Sequence, residues 1–183
     1  GNSLILKNGR LMTGNNFVVM NTSATSTRTN GWVVGYMAKF FNTGAQTFKY
    51  DIGTYNGYSP AELSINNVTT SGYVVGTVDS INHYNPPTDC TKTIRRYWTL
   101  DNSGSSIVFD KYNVKFYYLK SDFNEFLETP YEYYMDWGKY NTTTSKWSLF
   151  TNATKDTLNN TAMLSNLTSF SEFTGMLIAP KIT

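Results

Sequence analysis

The chain has 183 residues, a formal net charge of +2 and a single cysteine, Cys90. This length suits one domain, and the small charge, with no basic cluster beyond residues 95–96, argues against a nucleic-acid-binding face. No apolar run approaches the roughly 20 residues that cross a bilayer, so we expect no transmembrane segment. Aromatic residues make up 16% of the sequence and charged residues 15%, which is typical of secreted β-proteins. One cysteine excludes an intrachain disulfide, and we favour a buried thiol over an intermolecular bridge.

Residues 1–21 contain three short apolar runs separated by two tight-turn signals, Asn8-Gly9 and residues 14–16. These runs predict short N-terminal strands, arranged either as one turn of a solenoid or as the first strands of a sandwich. Residues 22–30 are polar and unpatterned, and we interpret them as a surface loop.

Residues 31–53 alternate apolar side chains with period two on either side of a short link at 42–45. This pattern predicts a β-hairpin. The first strand is apolar on both faces, which indicates a central position in a sheet, and the second is amphipathic. The main body of the domain is therefore assigned to residues 31–183.

The rest of the chain continues the pattern of short strands and turns. Residues 81–92 read as a loop, and residues 121–127 as one or two helical turns because Asp122 and Glu125 have capping-box spacing. Together these features predict one all-β domain over 1–183, a β-sandwich of mainly antiparallel strands with a solenoid-like or exchanged N-terminal segment. Further strands are predicted at 61–68, 73–78, 93–100, 107–109, 112–119, 131–137 and 146–150, and in the tail at 162–178.

Several segments, in this order, carry a resemblance: LILKNGRLMTGNNFVV, GWVVGYMAKFFNTGAQTFKYDIGT, YSPAELSI, IRRYWTL, YYMDWGKYNTTTSKW and LTSFSEFTGM. The sequence resembles the β-rich modules of large secreted and cell-surface proteins of Bacteroidetes and their relatives, which are often cargo of the type IX secretion system. The resemblance implies a sandwich-like extracellular module with a structural or adhesive role and no enzymatic activity. It supplies no catalytic residues.

The residues alone give no catalytic motif, since GxSxG, GxGxxG, P-loop and HExxH patterns are all absent from the sequence. His83 is the only histidine, and we interpret it as a plain loop residue. Five carboxylates between residues 122 and 136 have three interpretations. We rank a solvated acidic face first, a Ca²⁺ site with Asp122, Glu125 and Glu128 as ligands second, and a glycosidase pair last.

Three aromatic side chains near a predicted loop, Trp137, Tyr140 and Trp147, are candidates for a platform that stacks on sugar rings. The alternative, which we favour for aromatic residues in a sandwich, is that they belong to the core.

If the resemblance holds, two sites of O-glycosylation follow from the motif of that phylum, Asp followed by Ser or Thr and an apolar residue. The motif occurs at Asp79-Ser80-Ile81 and Asp156-Thr157-Leu158, so the acceptors are Ser80 and Thr157.

The two ends of the sequence carry short apolar strands, which either complete their own sheet or complete that of another subunit. The predicted assembly residues are Leu4, Ile5 and Leu6 at one end and Met176, Leu177 and Ile178 at the other.

These observations predict a non-enzymatic, secreted structural or adhesive protein, self-assembling into a surface filament or layer by strand pairing. Its expected partners are its own copies or other cell-surface proteins, and no cofactor is required unless calcium binds the acidic segment. The alternative is a carbohydrate-binding module that uses exposed aromatic residues to bind glycans, and a hydrolase built on the carboxylates of 122–136 ranks third.

Overall fold

Sixteen β-strands account for most of the chain in the computed structural model, which describes residues 3–102, 104–123 and 130–178. A single 3-10 turn (Lys120–Asp122) and a short helix, α1 (Pro130–Tyr134), complete the regular structure. In chain order the strands are β1 (Ser3–Met20), β2 (Thr25–Phe41), β3 (Gly44–Tyr50), β4 (Ile52–Thr54), β5 (Gly57–Tyr58), β6 (Ala61–Thr70), β7 (Gly72–Asp79), β8 (Cys90–Thr93), β9 (Tyr97–Asp101), β10 (Val108–Phe109), β11 (Tyr112–Tyr117), β12 (Asp136–Asn141), β13 (Lys146–Phe150), β14 (Thr154–Asp156), β15 (Thr161–Leu167) and β16 (Ser171–Ile178).

The strands form two sheets that pack together. The large sheet has the order β13-β12-β16-β9-β7-β2-β4-β5, with β1 also beside β2 and β8 also beside β16. The small sheet has the order β10-β6-β11-β15-β14, with β3 also beside β6. Nearly all neighbours are antiparallel, whereas β2 runs parallel to both β1 and β4. The prediction of a β-sandwich of mainly antiparallel strands is therefore confirmed.

The core between the sheets is built around large aromatic side chains. The rings of Trp98 and Phe116 lie 4.9 Å apart between centroids, and those of Phe116 and Trp137 lie 5.7 Å apart. The indole nitrogen of Trp98 donates a hydrogen bond to the carbonyl of Ser59 at 3.0 Å, so the polar atom of this buried ring is satisfied. Burying each side chain of this size contributes about 1.5–3 kcal/mol, so this cluster joins the sheets.

The first strand, β1, is a bent coil rather than a straight strand. Ser3 faces Thr25 and Gly9 faces Gly31, an offset of 22 residues in a parallel register. An extended strand of this length would measure about 60 Å, whereas the connection at 21–24 spans at most about 18 Å. The chain must therefore turn back on itself within β1, and it bends at Gly9 (φ 80°) and Gly14 (φ 57°). The solenoid-like N-terminal segment is thus present, with Leu4 and Met20 lining one small cavity.

Three expectations for the N-terminal third were wrong. Residues 3–20 form one strand instead of several short ones, because the signals at Asn8-Gly9 and at residues 14–16 mark corners of a coil and not reversals of direction. Residues 25–30 belong to β2 and are not a loop, because the outward side chains of a coil face water and can be polar. The predicted hairpin also fails: β2 pairs in the large sheet and β3 in the small one, so the chain crosses between the layers at residues 42–43.

Two later expectations also change. The strand predicted at 131–137 is the helix α1 followed by β12, which begins at Asp136. The strand predicted at 93–100 is divided between β8 and β9. The expected helical turns begin as the 3-10 turn Lys120–Asp122, and residues 124–127 lie outside the described part of the chain.

Candidate functional site: the free edge of the first strand

The first calcium candidate, Asp122, is already engaged in a buried ion pair. Its two carboxylate oxygens accept hydrogen bonds from the Arg96 guanidinium, at 2.6 Å from Nε and 2.8 Å from Nη2. The backbone N–H of Leu119 donates a further bond at 2.7 Å. Both oxygens are thus committed to the protein, which leaves Asp122 poorly placed to bind a cation. Glu125 and Glu128 lie outside the described residues.

A metal site is not evident elsewhere in the described residues, where no group of three or more His, Cys, Asp or Glu side chains is close enough to hold an ion. The favoured interpretation, a solvated acidic face, is wrong for Asp122 and for Glu132, because both are buried. Glu132 accepts a hydrogen bond from the Tyr118 hydroxyl at 2.7 Å. Burial and this carboxylate raise the pKa of Tyr118 above its ordinary value.

The three aromatic residues proposed as a sugar platform do not form one. Trp137 is 0% exposed and packs in the core, so it offers no face to a ligand. Tyr140 is also buried, and only Trp147 is partly exposed. The rings of Tyr140 and Trp147 lie 5.2 Å apart, on neighbouring strands. The core interpretation therefore fits Trp137 and Tyr140.

His83 proved to be the centre of an aromatic cluster that the sequence did not reveal. It is only 2% exposed, although it belongs to the loop between β7 and β8. Four rings surround it, with centroids 4.4–5.1 Å from its own: Tyr84, Tyr97, Tyr140 and Trp147. The loop is thus held against the large sheet by its histidine.

Hydrogen bonds fix the tautomer and the orientation of the His83 ring. The backbone N–H of Asn85 donates to Nδ1 at 3.1 Å, so the ring proton lies on Nε2. Nε2 then donates to Glu172 at 2.8 Å. The same carboxylate oxygen accepts from the hydroxyl of Tyr84 at 3.0 Å. Desolvation and this bond raise the pKa of Tyr84 to about 12. His83 is therefore a structural anchor with both nitrogens occupied.

The two glycosylation candidates lie on connections between strands and remain predictions. Ser80 is in the bend directly after β7, and Thr157 is in the turn between β14 and β15. The carboxylate of Asp156 accepts hydrogen bonds from the backbone N–H groups of Leu158 and Asn159, both at 3.1 Å. Thr157 is half-buried within this Asx turn. Cys90 is half-buried, and burial raises the pKa of its thiol.

The predicted assembly residues at the C-terminal end are already paired within the large sheet. Met176, Leu177 and Ile178 belong to β16, which is paired with β12 on one side and with β8 on the other. Met176 is also fully buried. The C-terminal strand therefore completes its own sheet, the first of the two alternatives given for the chain ends, and a role of these residues in assembly stays a prediction.

The N-terminal residues occupy a different position, because β1 lies at an edge of the large sheet. One side of β2 pairs with β1, and its other side pairs with β4 and β7. Within residues 3–102, 104–123 and 130–178, no strand pairs with the outer side of β1. Leu4 and Leu6 point toward the core, whereas Ile5 is 61% exposed.

This free edge also exposes an unusual amount of apolar surface. Outward-facing side chains of β1 include an aromatic ring, Phe17, whose centroid lies 5.4 Å from that of Tyr36 on β2. An uncovered edge with apolar side chains is a template for pairing with another strand. The exposed apolar side chains of β1 are Ile5, Leu11, Met12, Phe17 and Val19.

Comparison with protein-family models, curated proteins and solved structures found no match for this chain. In the described residues, no helix has both the length and the apolar character needed to cross a membrane.

Proposed function

We propose that this chain is a non-enzymatic structural or adhesive protein of the cell exterior, which assembles with its own copies by strand pairing. The observation that carries the proposal is the free edge of β1, with its unpaired backbone and its five exposed apolar side chains. The resemblance to secreted surface modules supports the extracellular location.

The length and the composition of β1 favour pairing of its free edge with another strand. Natural sheets usually protect an edge by making it short, by placing charges on it or by covering it. β1 is 18 residues long and has only two charged side chains, Lys7 and Arg10. One of these, Arg10, donates to the carbonyl of Tyr55 at 3.0 Å. Much of the edge therefore lacks the usual protection, which favours a partner strand.

Ile5→Lys is the test of this proposal, because an added charge on an exposed edge position opposes pairing while leaving the fold intact. We expect the wild-type protein to form oligomers or fibres that grow with concentration, seen by light scattering and negative-stain microscopy. Ile5→Lys should remain monomeric at the same concentrations.

Leu158→Lys is the matched control, because Leu158 is 92% exposed but lies in the turn between β14 and β15 of the small sheet and not on β1. It should assemble as the wild type does. A wild-type protein that stays monomeric at all concentrations would refute the proposal.

A second candidate function, glycan binding, is favoured by Tyr84. Tyr84 is 63% exposed, yet its ring is held in place by stacking on His83 and by the hydrogen bond to Glu172. A fixed, exposed ring of this kind, packed on the same histidine as Trp147, can stack on a pyranose. Binding on a glycan array that is lost in Tyr84→Ala, but kept in Tyr133→Ala, would support this function.

A further inference from the structure

The outer face of the large sheet carries a second fixed aromatic ring, Tyr73, near the start of β7. Its hydroxyl donates a hydrogen bond to the side-chain oxygen of Asn21 at 3.0 Å. Its ring packs on that of Phe40, directly opposite on β2, with 4.9 Å between the centroids. Tyr73 is nevertheless 36% exposed. Like Tyr84, it is therefore a ring that is held in place while part of it faces solvent.

Tyr73 and Tyr84 lie on the same face of the sheet, near opposite ends of β7. Buried and outward positions alternate along β7, so that Tyr73 and Asp79 both point outward. Asp79 is paired with Tyr97 of β9, and the ring of Tyr84 lies 6.4 Å from that of Tyr97. The six positions from Tyr73 to Asp79 span about 20 Å of extended strand. A ligand that contacts both rings must be about this long.

The surface between the two rings is mostly polar. Its outward positions on β7 and β9 are Val75, Thr77, Thr99 and Asp101. Glu172 of β16 is paired with Thr99 and continues this surface. A protein partner would favour an apolar centre to its interface, whereas here hydroxyls and carboxylates separate two aromatic rings. This arrangement suits a ligand that has apolar ring faces and many hydroxyl groups.

The charge of this face opposes acidic ligands. Asp79, Asp101 and Glu172 place three carboxylates on it, and no outward position of β7 or β9 holds Lys or Arg. A uronate or sulfate group would be repelled by these carboxylates. A neutral sugar chain can instead stack its ring faces on the two tyrosines and donate its hydroxyls to the carboxylates.

We infer that the outer face of the large sheet binds a neutral glycan chain, which runs along β7 with one sugar ring on Tyr84 and another on Tyr73. This inference rests on the second candidate function, glycan binding at Tyr84, and specifies the length and the charge of the ligand. Two linked contacts strengthen binding by about 10²–10⁴-fold over one contact, but only if the ligand spans both sites. Chains shorter than about 20 Å should therefore bind weakly, through one tyrosine.

The experiment measures the affinity of the protein for neutral cellulose, mannan, xylan and chitin fragments, each from the disaccharide to the octasaccharide, and for polygalacturonate fragments of the same lengths. The octasaccharide of at least one neutral series should bind at least about tenfold more tightly than its disaccharide, and the acidic fragments should not bind. Tyr73→Ala should reduce octasaccharide affinity to that of the disaccharide and leave disaccharide affinity unchanged. Tyr73→Phe keeps the ring and should keep the preference for long chains, as should the control Tyr133→Ala.

The outcomes separate the inference from the candidate function on which it rests. If disaccharides bind as tightly as octasaccharides, or if Tyr73→Ala binds long chains as the wild type does, Tyr73 is not a second platform, while glycan binding at Tyr84 stands. Tighter binding of the acidic fragments would contradict the preference for neutral chains. If no fragment binds, the candidate function fails and the inference fails with it.

Thermal unfolding shows whether each variant is folded. If Tyr73→Ala is not, NMR spectra of the wild type replace it. An octasaccharide should then shift the ring signals of both Tyr73 and Tyr84, and shifts at Tyr84 alone would refute the inference.

Discussion

At the scale of single residues, the buried ion pair between Arg96 and Asp122 has the largest energetic consequence. Arg96 is fully buried, and its guanidinium makes two hydrogen bonds with one carboxylate. The carbonyl of Arg96 also accepts a bond from the Thr174 hydroxyl at 2.7 Å, and the N–H of Arg95 donates to the carbonyl of Asp122 at 2.8 Å. The pair thus joins the segment before β9, the 3-10 turn and β16.

Arg96→Met should destabilise the protein strongly, because it leaves the Asp122 carboxylate buried without its counter-charge. Removing one partner of a buried pair costs about 3–5 kcal/mol. The free energy of unfolding from urea titration should fall by about this amount. Arg95→Met is the control, since Arg95 is exposed, and it should change the free energy by less than about 0.5 kcal/mol. Equal effects of the two substitutions would contradict this account.

The residue scale is also where sequence reasoning was weakest. His83 looked like a plain loop residue because its partners are far away in the chain; its hydrogen bond to Glu172 joins positions 89 residues apart. No local pattern carries that information. The burial of Trp137 was foreseen as the favoured alternative, because an aromatic residue in a sandwich strand is usually part of the core.

At the scale of elements, the coil of β1 on β2 shows what the sequence contains and what it omits. The sequence predicted tight turns at Asn8-Gly9 and at residues 14–16, and the chain does change direction at Gly9 and Gly14, since glycine adopts positive φ without steric cost. The sequence could not show that the residues after each bend stay in β1 and pair in parallel with β2, instead of reversing into an antiparallel strand. Likewise, alternation located β3 and the part of β2 that follows residue 30, but the same alternation fits two strands in one sheet or in two.

The contact between β1 and β2 leaves no room for a side chain at Gly35. Gly35 has φ 115°, and a Cβ added there would lie 2.0 Å from the Thr13 hydroxyl oxygen. That hydroxyl accepts a hydrogen bond from the N–H of Tyr36 at 3.1 Å. This bond holds the part of β1 around Thr13 against β2. The register of β1 on β2 shifts between Met12 and Phe17, the interval that contains Thr13.

Gly35→Ala should lower the melting temperature by several degrees, because the new methyl group displaces Thr13 in addition to straining the backbone. Gly44→Ala tests the backbone cost alone, since Gly44 has φ 91° and open space around it. The difference between the two melting temperatures measures how much the contact of β1 with β2 at Thr13 stabilises the protein. No difference would mean that β1 is only loosely attached.

At the scale of the whole molecule, the strands of the large sheet differ in whether they pair on one side or on both. β2 and β16 have partners on both sides, whereas β1, β5, β8 and β13 each pair with one strand within the described residues. The chain also passes from the large sheet to the small one directly after β2. The strands with partners on both sides therefore lie inside the sheet, and those with one partner lie at its margins.

The hydrogen-exchange rates of backbone amides should differ between strands paired on one side and strands paired on both. In monomeric Ile5→Lys, amides of β1 should exchange faster than those of β2 and β16, because half of the edge faces water. In the assembled wild type, the amides of β1 should become more protected than in the monomer. Exchange in β1 as slow as in β2 for the monomer would show that the edge is already covered.

The register of β1 on β2 has a consequence for how this molecule can change in size. At residues 3–6 and 8–12, each position pairs with the one 22 residues further along, and Asn8-Gly9 lies beside Asn30-Gly31. A layer that pairs at a constant offset with the next one can be duplicated. Inserting one more such 22-residue stretch ahead of β2 would heighten the stack by a single layer, about 5 Å, and leave the sandwich beneath it unaltered.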